Sequence, residues 1–205
     1  MRGDRKRTLH MNLQKLSIIV FAGVFLLGSC RPEIKDDFND VHFELTDQNG
    51  KVVEFPDDFK GAPVVMGFIY TNCPDVCSFI TANLHKIYDE MEDPGQTRFV
   101  LVTFDPERDT PEVLKNYASS FDMDQSPFLF LTGEPDEIES MMKRMSVRTQ
   151  VSYTKETETG DSLYFLNHSD KILLLNEQGQ LVMEYGGSMT PANMVIEDLT
   201  SILQS

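Results

Sequence analysis

Two cysteines four positions apart, Cys73 and Cys77 in Tyr70-Thr71-Asn72-Cys73-Pro74-Asp75-Val76-Cys77, are the residues of this chain whose type and spacing could do chemistry. A thiolate is both a nucleophile and a soft metal ligand, so a pair of them can exchange disulfides or hold an ion. Exchange enzymes of the thioredoxin type usually carry two residues between their cysteines; this chain has three. The extra residue favours two sulfurs converging on one soft ion, though it does not forbid a disulfide. A purely structural disulfide is the plainer alternative, but so short a closed loop constrains the unfolded chain little and stabilises weakly. Soft thiolates select Cu(I), and an added imidazole also suits copper.

The sequence offers four imidazoles. His10 lies in the leader described below. His42 alternates with Val41 and Phe43 and so faces solvent, and His85 sits eight residues beyond Cys77, two turns down the same helix and at its wrong end. His168 lies in Leu166-Asn167-His168-Ser169-Asp170, a polar interruption just before the apolar run Ile172 to Leu175. A histidine at such a loop–strand junction can reach a neighbouring helix terminus, or it can be a turn histidine satisfied by nearby backbone. Spacing leaves both readings open.

The cysteines fall where a buried strand gives way to a helix. Pro63–Tyr70 is almost continuously apolar, as a central strand covered on both faces must be. From about Asp75 to Met91, apolar residues at Val76, Phe79, Ile80, Leu84, Ile87, Tyr88 and Met91 recur at the spacing of one helical stripe. Strand ends in open α/β sheets are where ligands bind. A helix N-terminus also favours negative charge, which predicts a lowered pKa for the more N-terminal thiol, Cys73.

Around this junction, Val41–Thr46 and Lys51–Phe55 alternate in polarity across Asn49-Gly50 and read as a hairpin. Thr97–Phe104 is a second buried strand. Thr110–Phe121 is a helix opened by a capping box of Asp109 with Glu112, or by Thr110 before Pro111. A strand at Phe128–Leu131, a helix at Glu134–Met145, strands near Val147–Tyr153, Lys171–Asn176 and Leu181–Tyr185, and a last helix from Thr190-Pro191 to Leu203 complete the order. Strands alternating with helices and ending in a hairpin predict an α/β sandwich on one central mixed sheet.

The charge is unevenly spread. The 205 residues carry 33 acidic and 18 basic side chains, a net of −15. Such a balance argues against nucleic acid and against a polybasic grip on an anionic membrane. Residues 1–29 are the exception, with five basic residues against Asp4, followed by the apolar run Leu16–Leu27. Twelve residues is too short for a membrane-spanning helix, which needs about 20, and the pattern reads as a secretory signal. It ends in Leu27-Gly28-Ser29-Cys30, which resembles the lipobox of bacterial lipoproteins. That resemblance implies cleavage before Cys30 and lipidation of its sulfur and new terminus. Residues 30–40 then form a polar linker, and 41–205 one acidic domain, tethered by lipid to the bacterial cell envelope and facing the periplasm or extracytoplasmic space. Two or three acyl chains suffice for stable anchoring.

Three segments in order, Gly67 to Cys77, Phe104-Asp105-Pro106-Glu107-Arg108-Asp109-Thr110-Pro111-Glu112 and Asn167-His168-Ser169, resemble the Sco/SenC family. Weaker similarity runs from about residue 40 to the C-terminus. The resemblance implies a thioredoxin-like fold and a mononuclear copper site, Cu(I) or Cu(II), made by Cys73, Cys77 and His168. It also implies a role in cytochrome c oxidase assembly, with the binuclear copper site of oxidase subunit II as acceptor. Asp105 and Asp109 match a family segment, where helix capping and loop ordering are their expected roles. Ser78 stands where a proline often follows the second cysteine, and Asn167 where an aspartate often precedes the histidine. The favoured reading is a metallochaperone. The rival is a thiol–disulfide reductase that keeps the acceptor's cysteines reduced, in which Cys73 and Cys77 are catalytic, His168 is dispensable and thioredoxin-like proteins supply electrons. A peroxidase on the same fold would need a threonine/arginine peroxide pocket, which the sequence does not assemble.

Overall fold

A computed structural model describes residues 33–74, 76–123, 125–156 and 162–204. Among the described residues, ten strands and four α-helices follow one another in the order expected of an α/β sandwich. They are β1 (Asp36–Asp37), β2 (Phe43–Asp47), β3 (Val52–Phe55), β4 (Val64–Ile69), α1 (Val76–Glu90), β5 (Arg98–Thr103), α2 (Pro111–Ser120), β6 (Phe128–Thr132), α3 (Pro135–Arg144), β7 (Thr149–Glu156), β8 (Ser162–His168), β9 (Ile172–Leu175), β10 (Gln180–Tyr185) and α4 (Ala192–Leu203). Eight strands form one mixed sheet in the order β1-β10-β9-β4-β5-β6-β2-β3.

The centre of the sheet is parallel, β4 beside β5 and β5 beside β6, with Ile69 level with Thr103. All six residues of β4 are buried, which accounts for its unbroken apolar run. On its other side β4 pairs antiparallel with β9, Gly67 opposite Ile172. The hairpin of β2 and β3 turns at Gly50, whose φ of +79° suits a residue without Cβ. Asp47 closes the turn by accepting from the backbone N–H of Asn49 and of Lys51.

Helix α1 buries Cys77, Ile80, Thr81, Leu84 and Ile87 and packs on β4 and α4. Its close approach depends on Gly67, where a Cβ would lie 2.9 Å from Ile80 Cγ2 and 3.6 Å from Leu84 Cδ1. Both neighbours are fully buried and have nowhere to move. Gly67→Ala is therefore expected to destabilise by about 1–3 kcal/mol through overpacking, seen as a lower urea midpoint at unchanged slope. An unchanged midpoint would show that α1 can shift outward without cost.

Two expectations are corrected. The polar stretch read as linker joins the fold before residue 40: Asp36–Asp37 pairs with Leu181 and Gln180, and Phe38 is 1% exposed. Phe38 stacks on Phe55 and lies under the Arg144 guanidinium, which forks onto Asp36. One aromatic among ten largely polar residues sets up no periodicity, so only its distant partners reveal it. The second correction concerns residues 147–168. The strand expected near Val147–Tyr153 forms as β7, but His168 does not lie in the loop expected there. Instead β7 and β8 pair as a separate two-stranded sheet, with Thr149 opposite His168. The alternation that marks a strand is missing from Lys155 to Ser162, and Leu166 of β8 packs against the main core.

Candidate metal centre

The carboxyl ends of β4 and β5 end on aromatics, and those aromatics frame the site. Tyr70 follows β4, Phe104 follows β5, and their rings lie 5.2 Å apart. Beyond Tyr70 the chain turns, with Cys73 N–H donating to the Tyr70 carbonyl, and enters α1 so that Cys77 falls in its first turn. Cys73 is half-buried and Cys77 fully buried; among the described residues neither is in a disulfide. A buried carboxylate holds this turn. Asp109 accepts from the Thr71 N–H at 3.0 Å and from the hydroxyls of Thr71 and Thr103, each at 2.5 Å, tying the loop after β4 to the end of β5. Of the two caps expected for the second helix, Thr110 is the one formed, its Oγ1 accepting from Val113 N–H. That leaves Asp109 as an organiser of the cysteine loop.

His168 arrives from the other direction. It ends β8, four residues before β9 begins beside β4, and the base of its hairpin is closed by Ser169 N–H donating to the Arg148 carbonyl and Arg148 N–H donating to Ser169 Oγ. The imidazole lies 4.7 Å from the Phe104 ring and meets Tyr70 edge-on at 6.3 Å, measured between centroids. The Tyr70 hydroxyl in turn accepts from Leu166 N–H, holding the strand that carries the histidine.

These constraints bring His168 Nε2 to 3.3 Å from Cys77 Sγ, and the ligand atoms of Cys73, Cys77 and His168 all lie within 4.8 Å of one another. His168 Nδ1 lies 3.0 Å from the Ser169 carbonyl, an acceptor only, so Nδ1 carries the proton and Nε2 turns its lone pair toward the sulfurs. This orientation is the one a metal-binding imidazole needs, with the far nitrogen fixed by a backbone carbonyl.

The electrostatics match a site waiting for positive charge. Cys73 beside it and burial push the Cys77 thiol far up, against the lowering effect of a hydrogen bond with the Tyr70 backbone. Burial opposes charge on His168, but Cys73 and the Ser169 carbonyl outweigh it and raise its pKa. A soft cation placed among the three atoms would reverse the logic at the sulfurs, because a coordinated thiol loses its proton outright. On the Cys73 side the cluster opens to a cavity of about 500 Å³ lined by Tyr70, Cys73, Pro74, Val76, Leu166 and His168.

The other candidates stand apart from the cluster. His42 pairs with Glu54 at 2.8 Å on the β2–β3 hairpin, and His85 faces Asp89 and the Phe128 ring. Asp105 is buried without joining the cluster; its N–H donates to Thr103 Oγ1 and its carbonyl accepts from Asp109 N–H. Cys30 and the leader lie outside the described residues. Sequence reasoning did not single out Tyr70 or Phe104. Their signal is positional: an aromatic just beyond each of two adjacent parallel strands, on the sheet edge where ligands bind.

A family model described as SCO1/SenC matches residues 32–204. Among solved structures, copper-bound ScoI of Bradyrhizobium japonicum is 32% identical, with a TM-score of 0.63 over 79% of this chain and 98% of that one. A SCO1/SenC family lipoprotein of Bacillus anthracis is 29% identical, with a TM-score of 0.66 over 85% of this chain and 98% of that one. BsSco, described as a member of the Sco family of cytochrome c oxidase assembly proteins and as having a disulfide switch, is 26% identical, with a TM-score of 0.61 over 83% and 95%. Their shared architecture accords with the thioredoxin-like sheet described above.

Proposed function

The chain belongs to the SCO1/SenC family, and from that premise we propose that it is a copper metallochaperone that holds one copper ion on Cys73, Cys77 and His168 and delivers it to the binuclear copper site of a respiratory cytochrome c oxidase. The observation that carries this reading is the convergence of two sulfurs and a correctly oriented Nε2 from three separate elements within 4.8 Å. Two thiolates and an imidazole suit copper, and a three-ligand site with one open side leaves room for exchange. Cys77 is fully buried in the first turn of α1 while Cys73 borders the cavity, so an acceptor thiolate or imidazole would enter beside Cys73 and that ligand would be the first displaced. Cu(II) would be accommodated by adding an oxygen ligand from the cavity side.

The same reading places residues 1–29 as a removed signal, Cys30 as the lipidated first residue, and the domain outside the cytoplasmic membrane. Support comes from Leu27-Gly28-Ser29-Cys30 and from the likeness to a lipoprotein. No helix among the described residues is long and apolar enough to cross a membrane.

A second reading is favoured by one specific observation, the closeness of the two unbridged thiols, of which Cys73 borders a cavity. In dithiol–disulfide exchange Cys73 would attack an acceptor disulfide, Cys77 would resolve the mixed disulfide, and two acceptor thiols would leave as Cys73–Cys77 is oxidised. A thioredoxin-like reductant would then reset the pair. Anaerobic titration of the reduced protein with Cu(I) against a competing chelator is expected to give close to one copper per chain, with weaker binding in His168→Ala. Rapid exchange with a peptide disulfide, unaffected by His168→Ala and accompanied by no tight copper binding, would establish the reductase instead.

A further inference from the structure

We infer that Asp170, through a clasp with the 186–190 loop, is a positioning residue for His168 that joins the histidine-bearing strand to the cysteine-bearing helix. The inference rests on the copper reading for its purpose, while its geometry stands apart from it. Asp170 lies two residues beyond His168 and is half-buried. Its Oδ1 accepts from Ser188 N–H at 2.8 Å, its Oδ2 accepts from Ser188 Oγ at 2.5 Å, and its backbone carbonyl accepts from Gly187 N–H at 3.2 Å. Three bonds thus tie one residue to one short loop.

The loop reaches the helix as well. Asn83, six residues beyond Cys77 on α1, donates from its side-chain amide to the Gly187 carbonyl at 2.8 Å and the Thr190 carbonyl at 3.0 Å. Gly187 is wedged between the two ligand-bearing elements. A Cβ there would come within 2.6 Å of Asp170 Oδ1, 3.0 Å of Ile80 Cγ1 on α1 and 3.2 Å of the Lys171 carbonyl carbon. Glycine is required here by close approach.

The hairpin carrying His168 pairs only with itself, as a sheet separate from the main one. Strand pairing therefore does not set the position of its last residue against α1. The clasp helps to set it, beside the Tyr70–Leu166 bond and the Phe104 ring, at the point where the chain leaves the hairpin for β9. Supporting residues of this kind typically change metal affinity by about 10–100-fold when removed, by letting a ligand drift.

The test is a double-mutant cycle read by Cu(I) competition with a chelator. Asp170→Ala is expected to weaken Cu(I) binding by about 10–100-fold, and Ser188→Ala, which removes only the hydroxyl bond, by a smaller factor. Neither should cause further loss in a His168→Ala background, because the imidazole they position is gone. Full affinity in Ser188→Ala together with Asp170→Ala, or an equal loss with and without His168, would overturn the inference. If Asp170→Ala fails to fold, Ser188→Ala and Asn83→Ala carry the same cycle. A second readout needs no copper: in the metal-free protein the ¹⁵N signals of the His168 imidazole should move in Ser188→Ala while those of His42 and His85 stay fixed, and an unmoved His168 would again overturn it. Should the unaltered protein bind no copper, the proposed function falls and the imidazole signals still decide the clasp.

Discussion

Cys77→Ser is expected to leave the protein folded and to lower its Cu(I) affinity by more than about 100-fold, beyond the range that removing a merely supporting residue produces. Serine is close to cysteine in size, and its hydroxyl would lie beside His168 Nε2, the acceptor now 3.3 Å from the sulfur, so the buried position keeps a hydrogen-bond partner. What is lost is softness. A neutral hydroxyl is a hard, weak ligand, and Cu(I) selects thiolate. Cys73→Ser should cost as much, although Cys73 is half-exposed, since the site cannot hold a low-coordinate ion on one sulfur and one imidazole with comparable strength. Anaerobic competition with a Cu(I) chelator, run beside a thermal melt of the metal-free protein, separates ligation from folding. Undiminished affinity in either variant would remove that sulfur from the site.

The second large effect is on stability. Asp109→Ala strips the acceptor from three donors at once, the Thr71 N–H and the hydroxyls of Thr71 and Thr103, in a place where water cannot replace it, since Asp109 and Thr103 are 0% exposed. Each orphaned donor costs about 1–3 kcal/mol, and the hydroxyls can rotate to lessen the damage, so a net loss of about 2–4 kcal/mol is expected. For a chain of this length that lowers Tm by roughly 5–15 °C. Copper affinity should fall as well, because the loop that presents Cys73 is anchored through Thr71. A Tm within 1–2 °C of wild type, within roughly half a kcal/mol, would mean that the anchor is redundant.

Asp109 also sets a pH dependence whose sign is the reverse of the usual carboxylate. Burial is the larger influence and raises its pKa above the ordinary 3.8, against the lowering effect of the Thr103 and Thr71 bonds. The native state therefore binds this proton more tightly than the unfolded chain. The resulting contribution to stability is whole below pH 3.8 and is lost as pH rises through the raised native value. Measured by urea unfolding, the stability of the wild type relative to Asp109→Asn should decline across that window, the other carboxylates cancelling between the two proteins. A difference that grew with pH would mean that the hydrogen bonds, and not burial, govern this carboxyl.

Much of the fold could be read residue by residue. The unbroken apolar run at β4 announced a strand buried on both faces, the stripe from Val76 to Met91 announced α1, and Asn49-Gly50 announced the β2–β3 hairpin. What escaped were elements stabilised by distant partners. Phe38 is buried because Phe55 and Arg144 come to it from far along the chain, and the hairpin bearing His168 pairs only with itself, so neither leaves a periodic trace. The aromatics at Tyr70 and Phe104 looked like strand ends; that they frame an imidazole depends on where β8 is laid.

By itself the sequence determined the donor types and the junction that carries two of them, because a strand-to-helix turn and the spacing of Cys73 and Cys77 are local matters of a few dihedral angles. Tertiary structure alone decided that His168 joins them, 91 positions away from Cys77, with Nδ1 committed to the Ser169 carbonyl and Nε2 turned inward. Bringing an imidazole to a sulfur across that separation requires closing a long loop; the burial of β4, β9 and α1 against one another supplies the free energy, and the contacts of Tyr70, Phe104 and Asp170 fix where the imidazole ends.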